Sequence, residues 1–102
     1  MTILELTPET LPQHLNEKEL LLDFYAPWCS ACKVLDKVLA SVAEKMPPAL
    51  VVGKIDIEKF PLLAAEYGVT SLPRLFLYRD GALIEEKSGV ISAQKLVDFV
   101  SR

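Results

Sequence analysis

Residues 20–42 read LLLDFYAPWCSACKVLDKVLASV, and two hydrophobic periods meet inside this stretch. Leu20 to Tyr25 is a bounded apolar run of the kind that fits a strand buried on both faces of a covered sheet. From Ala31 onward Val34, Leu35, Val38, Leu39 and Val42 recur at helical spacing, with Lys33, Asp36, Lys37 and Ser41 between them, which predicts an amphipathic helix. Met46-Pro47-Pro48 is expected to end that helix, because proline cannot continue the hydrogen-bond ladder and also restricts the residue before it. Cys29 and Cys32 stand where strand turns into helix.

Upstream, Ile3 to Leu6 reads as a short first strand, and Thr7-Pro8-Glu9 as a helix start with an early proline and an acid in the first turn, although Pro12 interrupts it. Downstream, Ala49 to Ile57 is β-rich, and Phe60 to Tyr67 is a short helix with Gly68 placed to cap its end. Arg74 to Arg79 and Leu83 to Lys87 flank Asp80-Gly81, a strong hairpin signal, so these strands are expected to be antiparallel neighbours. Ser92 then caps a last helix with Leu96, Val97, Phe99 and Val100 on its inner side. Alternating strands and helices closed by a hairpin and helix predict an α/β chain with a mixed sheet covered on both faces.

The chain has 102 residues, 51% of them hydrophobic, with no repeat or low-complexity tract, so residues 1–102 are expected to form a single domain. A net charge of -3 and a pI near 5.1 leave no basic stripe for a phosphate backbone, which argues against a nucleic-acid partner. The segment MTILELTPETLPQ has no basic region followed by an apolar one, and no apolar run approaches the roughly 20 residues a bilayer span needs. The expectation is a cytoplasmic protein without a membrane partner.

The chain has two cysteines, in Cys29-Ser30-Ala31-Cys32. At the start of a helix, unpaired backbone N–H groups and the helix dipole favour an anion, so Cys29 is expected to titrate below an ordinary thiol and to act as the nucleophile. Cys32, one turn further in, is placed to attack a mixed disulfide and release the product. A structural metal site would need four Cys or His ligands, and the single histidine, His14, reads as an ordinary surface residue; no metal or cofactor is expected. A structural staple is the weaker reading too, since closing a four-residue loop is worth only roughly 2 kcal/mol on a chain-entropy basis.

The segment Asp23-Phe24-Tyr25-Ala26-Pro27-Trp28-Cys29-Ser30-Ala31-Cys32-Lys33 resembles the active-site segment of thioredoxins. The likeness continues through Lys54-Ile55-Asp56, Tyr67-Gly68-Val69, Leu72-Pro73 and Gly89. The resemblance implies the thioredoxin fold, a central mixed β-sheet flanked by four helices, and a monomeric thiol-disulfide oxidoreductase active in electron transport and cell redox homeostasis. It implies protein disulfides as substrates and a thioredoxin-reductase-like electron donor. It assigns Cys29 as nucleophile and Cys32 as resolving cysteine, with Trp28 bordering the substrate surface. Asp23, a carboxylate inside an apolar strand, is expected to have a raised pKa; the resemblance makes it the proton acceptor or donor for Cys32, with Lys54 as its modulator or its structural partner. Pro73 resembles the family's cis-proline, and Leu72, Pro73 and Gly89 would help form a shallow apolar groove.

Two departures stand out. Most thioredoxins carry Gly-Pro between the cysteines, where this chain has Ser30-Ala31; losing the proline restores a backbone N–H near Cys29, and a more oxidising potential is expected. Lys37 occupies the place of a kinking proline, which predicts a straighter helix. A disulfide oxidase or isomerase, and a non-enzymatic module using the same fold to bind a partner, are the alternative functions.

Overall fold

The computed structural model describes residues 1–101. In chain order the elements are β1 (Thr2–Glu5), α1 (Leu11–His14), β2 (Glu19–Tyr25), α2 (Ser30–Ser41), a 3-10 turn (Ala43–Lys45), β3 (Leu50–Asp56), α3 (Pro61–Glu66), β4 (Arg74–Arg79), β5 (Ala82–Ser88) and α4 (Ala93–Val100). The strands form one mixed sheet in the order β1-β3-β2-β4-β5. β1 and β2 run parallel to β3, β4 runs antiparallel to β2, and β5 runs antiparallel to β4.

The central position of β2 follows from its sequence. Leu20, Leu21, Leu22 and Phe24 are all fully buried, which only a strand covered on both faces allows. Side chains alternate between the faces. Leu21 meets Leu35 and Leu39 of α2 and Leu96, Phe99 and Val100 of α4 on one side. Leu20, Leu22 and Phe24 meet Leu11 of α1 and Leu63 and Ala64 of α3 on the other. On this second side Phe24, Tyr67 and Phe76 form a tilted and edge-to-face aromatic trio with ring centroids 5.2 to 5.6 Å apart. Gly53 of β3 sits under Leu6, and a Cβ there would stand 2.4 Å from Leu6 Cδ1, so close approach of chain to side chain demands glycine.

The Asp80-Gly81 hairpin forms as expected, with positive φ at both residues (51° and 84°), the twist that matches paired strands. Ser92 caps α4 by accepting from the Lys95 N–H. Two expected helix limits change. Thr7 to Thr10 is a turn rather than helix: the Thr7 N–H donates to Thr10 Oγ1 at 2.9 Å and the Thr10 N–H to Thr7 Oγ1 at 3.2 Å, a reciprocal side-chain closure after which the helix starts only at Leu11. α2 ends at Ser41, before the prolines; the Val42 N–H is shared between Val38 and Leu39 carbonyls and the chain tightens into the 3-10 turn. Met46, preceding Pro47, is then extended, as that neighbour requires. Among the described residues no helix is long and apolar enough to cross a membrane.

Candidate active site

Three segments converge at one end of the sheet's central strands: the chain leaving β2, the chain leaving β3, and the chain entering β4. The Ile57 N–H donates to the Tyr25 carbonyl at 2.9 Å, holding the first two together. Cys29 is the N-cap of α2, in extended conformation, and its Sγ accepts the Cys32 N–H at 3.1 Å. The sulfur thereby occupies the place that a serine or aspartate oxygen takes at other helix starts. The donor is Cys32 itself, whereas the residue change at Ala31 had suggested an additional N–H one position earlier. Both thiols are free. They are nearly buried, Cys29 with 8% and Cys32 with 3% of its surface exposed, and they pack with Ala26 against Tyr25, Ala31, Ile57 and Leu72. Burial, followed by the hydrogen bond with Cys29, pushes the Cys32 thiol up to about 12, so this sulfur holds its proton while Cys29 lies beside it.

A groove of about 290 Å³ opens beside Cys29, lined also by Trp28, by Ile57 and by the loop from Val69 to Leu72. Trp28 is 68% exposed, too open for a core residue of its size. Leu72 lines the groove, while Pro73 and Gly89 are not among its walls. Pro73 is buried directly behind, the Leu72–Pro73 bond is cis, and the Gly89 N–H donates to the Pro73 carbonyl at 2.9 Å. Ser30 is exposed and Ala31 half-buried on the first turn of α2. Sequence reading missed Ile57 and Val69 to Ser71 as groove residues; the signals available were their position at the ends of predicted elements and, for Val69, its place in the Tyr67-Gly68-Val69 likeness.

Asp23 lies under this site, 1% exposed, with its Oδ1 lacking a hydrogen-bond partner among the described residues. Burial pushes its carboxyl up to about 7 against the opposing pull of Lys54; the negative charges of Asp36 and Glu5 add to the rise. The structural pairing of Asp23 with Lys54 does not form. The two are neighbours in register, but the Lys54 ammonium bonds Asp36 Oδ1 at 2.8 Å. Asp36 reaches Lys54 from the half-exposed side of α2, where a charge pair keeps some of its hydration, and that is cheaper than pairing at the buried Asp23. Tyr25, over whose ring the ammonium lies at 4.5 Å, donates its hydroxyl to Glu5 at 2.5 Å.

His14 is half-buried and its Nδ1 lies 2.9 Å from Glu17 Oε2, far along the chain from the cysteines.

The thioredoxin family model matches residues 2–102. The chain is 37% identical over 101 residues to thioredoxin of Buchnera aphidicola, covering 97% of this chain and 93% of that one. It is 32% identical over 102 residues to thioredoxin of Bacillus subtilis, covering 100% and 98%. Among solved structures, a mutant thioredoxin from Halobacterium salinarum superposes with a TM-score of 0.84 at 32% identity, covering 98% of this chain and 88% of that one. A chloroplastic thioredoxin z superposes with a TM-score of 0.86 at 25% identity, covering 99% and 93%. With fold, dithiol and whole-length similarity agreeing, the chain belongs to the thioredoxin family, whose members act on protein disulfides and take electrons from a reductase donor, and it is a thiol-disulfide oxidoreductase.

Proposed function

We propose that this protein reduces protein disulfides, with Cys29 as the attacking and Cys32 as the resolving sulfur. The observation that carries this reading is the Cys29 sulfur at the start of α2, accepting an N–H bond at the mouth of the groove. An N–H donor and the helix dipole both favour the thiolate, the attacking form. Cys29 attacks one sulfur of a substrate disulfide; the other substrate sulfur leaves as a thiolate and a Cys29 mixed disulfide forms. Cys32 then loses its proton and attacks Cys29 Sγ, which forms the Cys29–Cys32 disulfide and releases the second substrate thiolate. The dithiol has given two electrons to the substrate, and a reductase donor returns them.

The high proton affinity of Cys32 creates a need for a base during resolution. Asp23, raised to about 7, is matched to that task near neutral pH, acting through intervening solvent. Trp28 and Leu72 give the groove apolar contact area for an extended substrate, and Pro73, held by Gly89, fixes the backbone behind it. Lys54 modulates Asp23, and Ser30 and Ala31 tune the potential between the sulfurs. We read residues 1–102 as a single domain acting as a cytoplasmic monomer in cellular electron transport, a reading supported by its near whole-length match to bacterial thioredoxins.

The test is covalent capture. Cys32→Ser incubated with disulfide-containing proteins should accumulate mixed disulfides at Cys29, released by dithiothreitol, while Cys29→Ser should capture none. Equal capture by the two variants, or none by either, would reverse or remove the division of labour.

A further inference from the structure

Five residues stand in register across the sheet, one per strand: Glu5, Lys54, Asp23, Leu75 and Lys87. Lys54 is therefore flanked by Glu5 and Asp23 on its own sheet face, and Asp36 of α2 faces it from above. One ammonium has three carboxylate neighbours. It bonds Asp36 at 2.8 Å, Glu5 accepts the Tyr25 hydroxyl instead, and Asp23 Oδ1 is left with no hydrogen-bond partner among the described residues. The buried group, which has the most to gain from a cation, is the one without it.

We propose that Asp36 is a positioning residue for the thiol chemistry: by holding the Lys54 ammonium at the outer side of α2, it withholds that cation from Asp23. The consequence rests on the reading of Asp23 as the base for Cys32. A carboxylate ion-paired with lysine is a weak base, whereas one kept unpaired in an apolar site takes up a proton near neutral pH. Asp36 thus maintains Asp23 as an acceptor strong enough to serve the buried Cys32 thiol. The remaining surroundings of Asp23 do not substitute for it. Glu5 on β1 and Tyr25 on β2 are engaged with each other, β4 presents the apolar Leu75, and α4 presents Leu96, Phe99 and Val100. Cys32 of α2 is the further titratable group that feels its charge.

Asp36 is 45% exposed and its replacement by alanine suits a helix, so Asp36→Ala can be read without loss of the fold. The side-chain carboxyl NMR shift of Asp23, assigned by its absence in Asp23→Asn, is followed against pH in the disulfide form, where the thiols do not titrate. An opposite charge within about 4 to 6 Å favours the ionised form by roughly one to three pH units, so Asp36→Ala should increase the Asp23 ionisation constant at least about tenfold. In a Lys54→Met background the same change should be below about threefold, because only the charge of Asp36 is then being removed and no cation is released. An equal response in both backgrounds, or no response in either, overturns the proposal. The acid limb of the resolving step, measured in single turnover, should move down by the same amount in Asp36→Ala, with a slower plateau. A shifted Asp23 titration with an unmoved acid limb would sustain the competition for Lys54 and instead remove Asp23 as the base.

Discussion

Asp23→Asn gives the most direct measure of what the buried carboxylate costs the fold. An aspartate titrates near 3.8 when exposed, and Asp23 in the folded chain is raised to about 7. Between these values the folded protein holds a proton that the unfolded chain has released, so the folded state binds more protons and stability falls as pH rises through that window. At about 1.4 kcal/mol per pH unit the full loss is about 4 kcal/mol, complete above about pH 7. For a domain whose total stability is typically about 5–15 kcal/mol this is a large share. Asparagine has the same shape and no charge at any pH, so its own burial penalty is a constant offset. The stability advantage of Asp23→Asn over the parent should therefore be smallest near pH 4 and grow by about 4 kcal/mol by pH 8. Urea unfolding of the disulfide forms, followed by far-ultraviolet circular dichroism at one-unit pH steps, reads the difference directly. A difference that is flat from pH 4 to 8, or that shrinks as pH rises, would refute the burial argument.

Gly53→Ala should destabilise by roughly 1–3 kcal/mol, because its Cβ would stand 2.4 Å from Leu6 Cδ1; urea unfolding measures it, and adding Leu6→Ala should cost less than it does in the parent. Trp28→Ala should leave stability within about 0.5 kcal/mol, since the side chain is 68% exposed, yet raise KM for a protein disulfide by about tenfold through lost groove contact. Insulin reduction together with thermal unfolding separates these two effects, and a Tm loss matching the activity loss would count against a surface role.

What could be read from sequence, and what could not, divides along physical lines. The Leu20 to Tyr25 run, the spacing from Val34 to Val42 and the Asp80-Gly81 turn are local signals, and each produced its element in the expected direction. The Thr7 to Thr10 segment carries the early proline and acid of a helix start, yet two threonine hydroxyls bond its N–H groups and close a turn instead. Periodicity placed Asp36 on the outer face of its helix, which is correct, but it does not reveal which strand's lysine reaches up to it. The resemblance offers Lys54 as modulator or structural partner of Asp23, and the carboxyl oxygen left unpartnered among the described residues emerges only with the helix packed across the sheet. The loop from Val69 to Ser71 carries no hydrophobic periodicity, and its contribution to the groove depends on where three distant segments end.

Trp28, the single tryptophan, stands open to solvent at the groove beside Cys29. Indole emission responds to nearby sulfur and to hydration, and no second indole dilutes the signal. The chain therefore carries its own optical label at the reacting sulfur. Fluorescence of the unmodified protein can time both the closing of the Cys29–Cys32 bond and the seating of a partner, without any dye attached to the surface on which that partner must land.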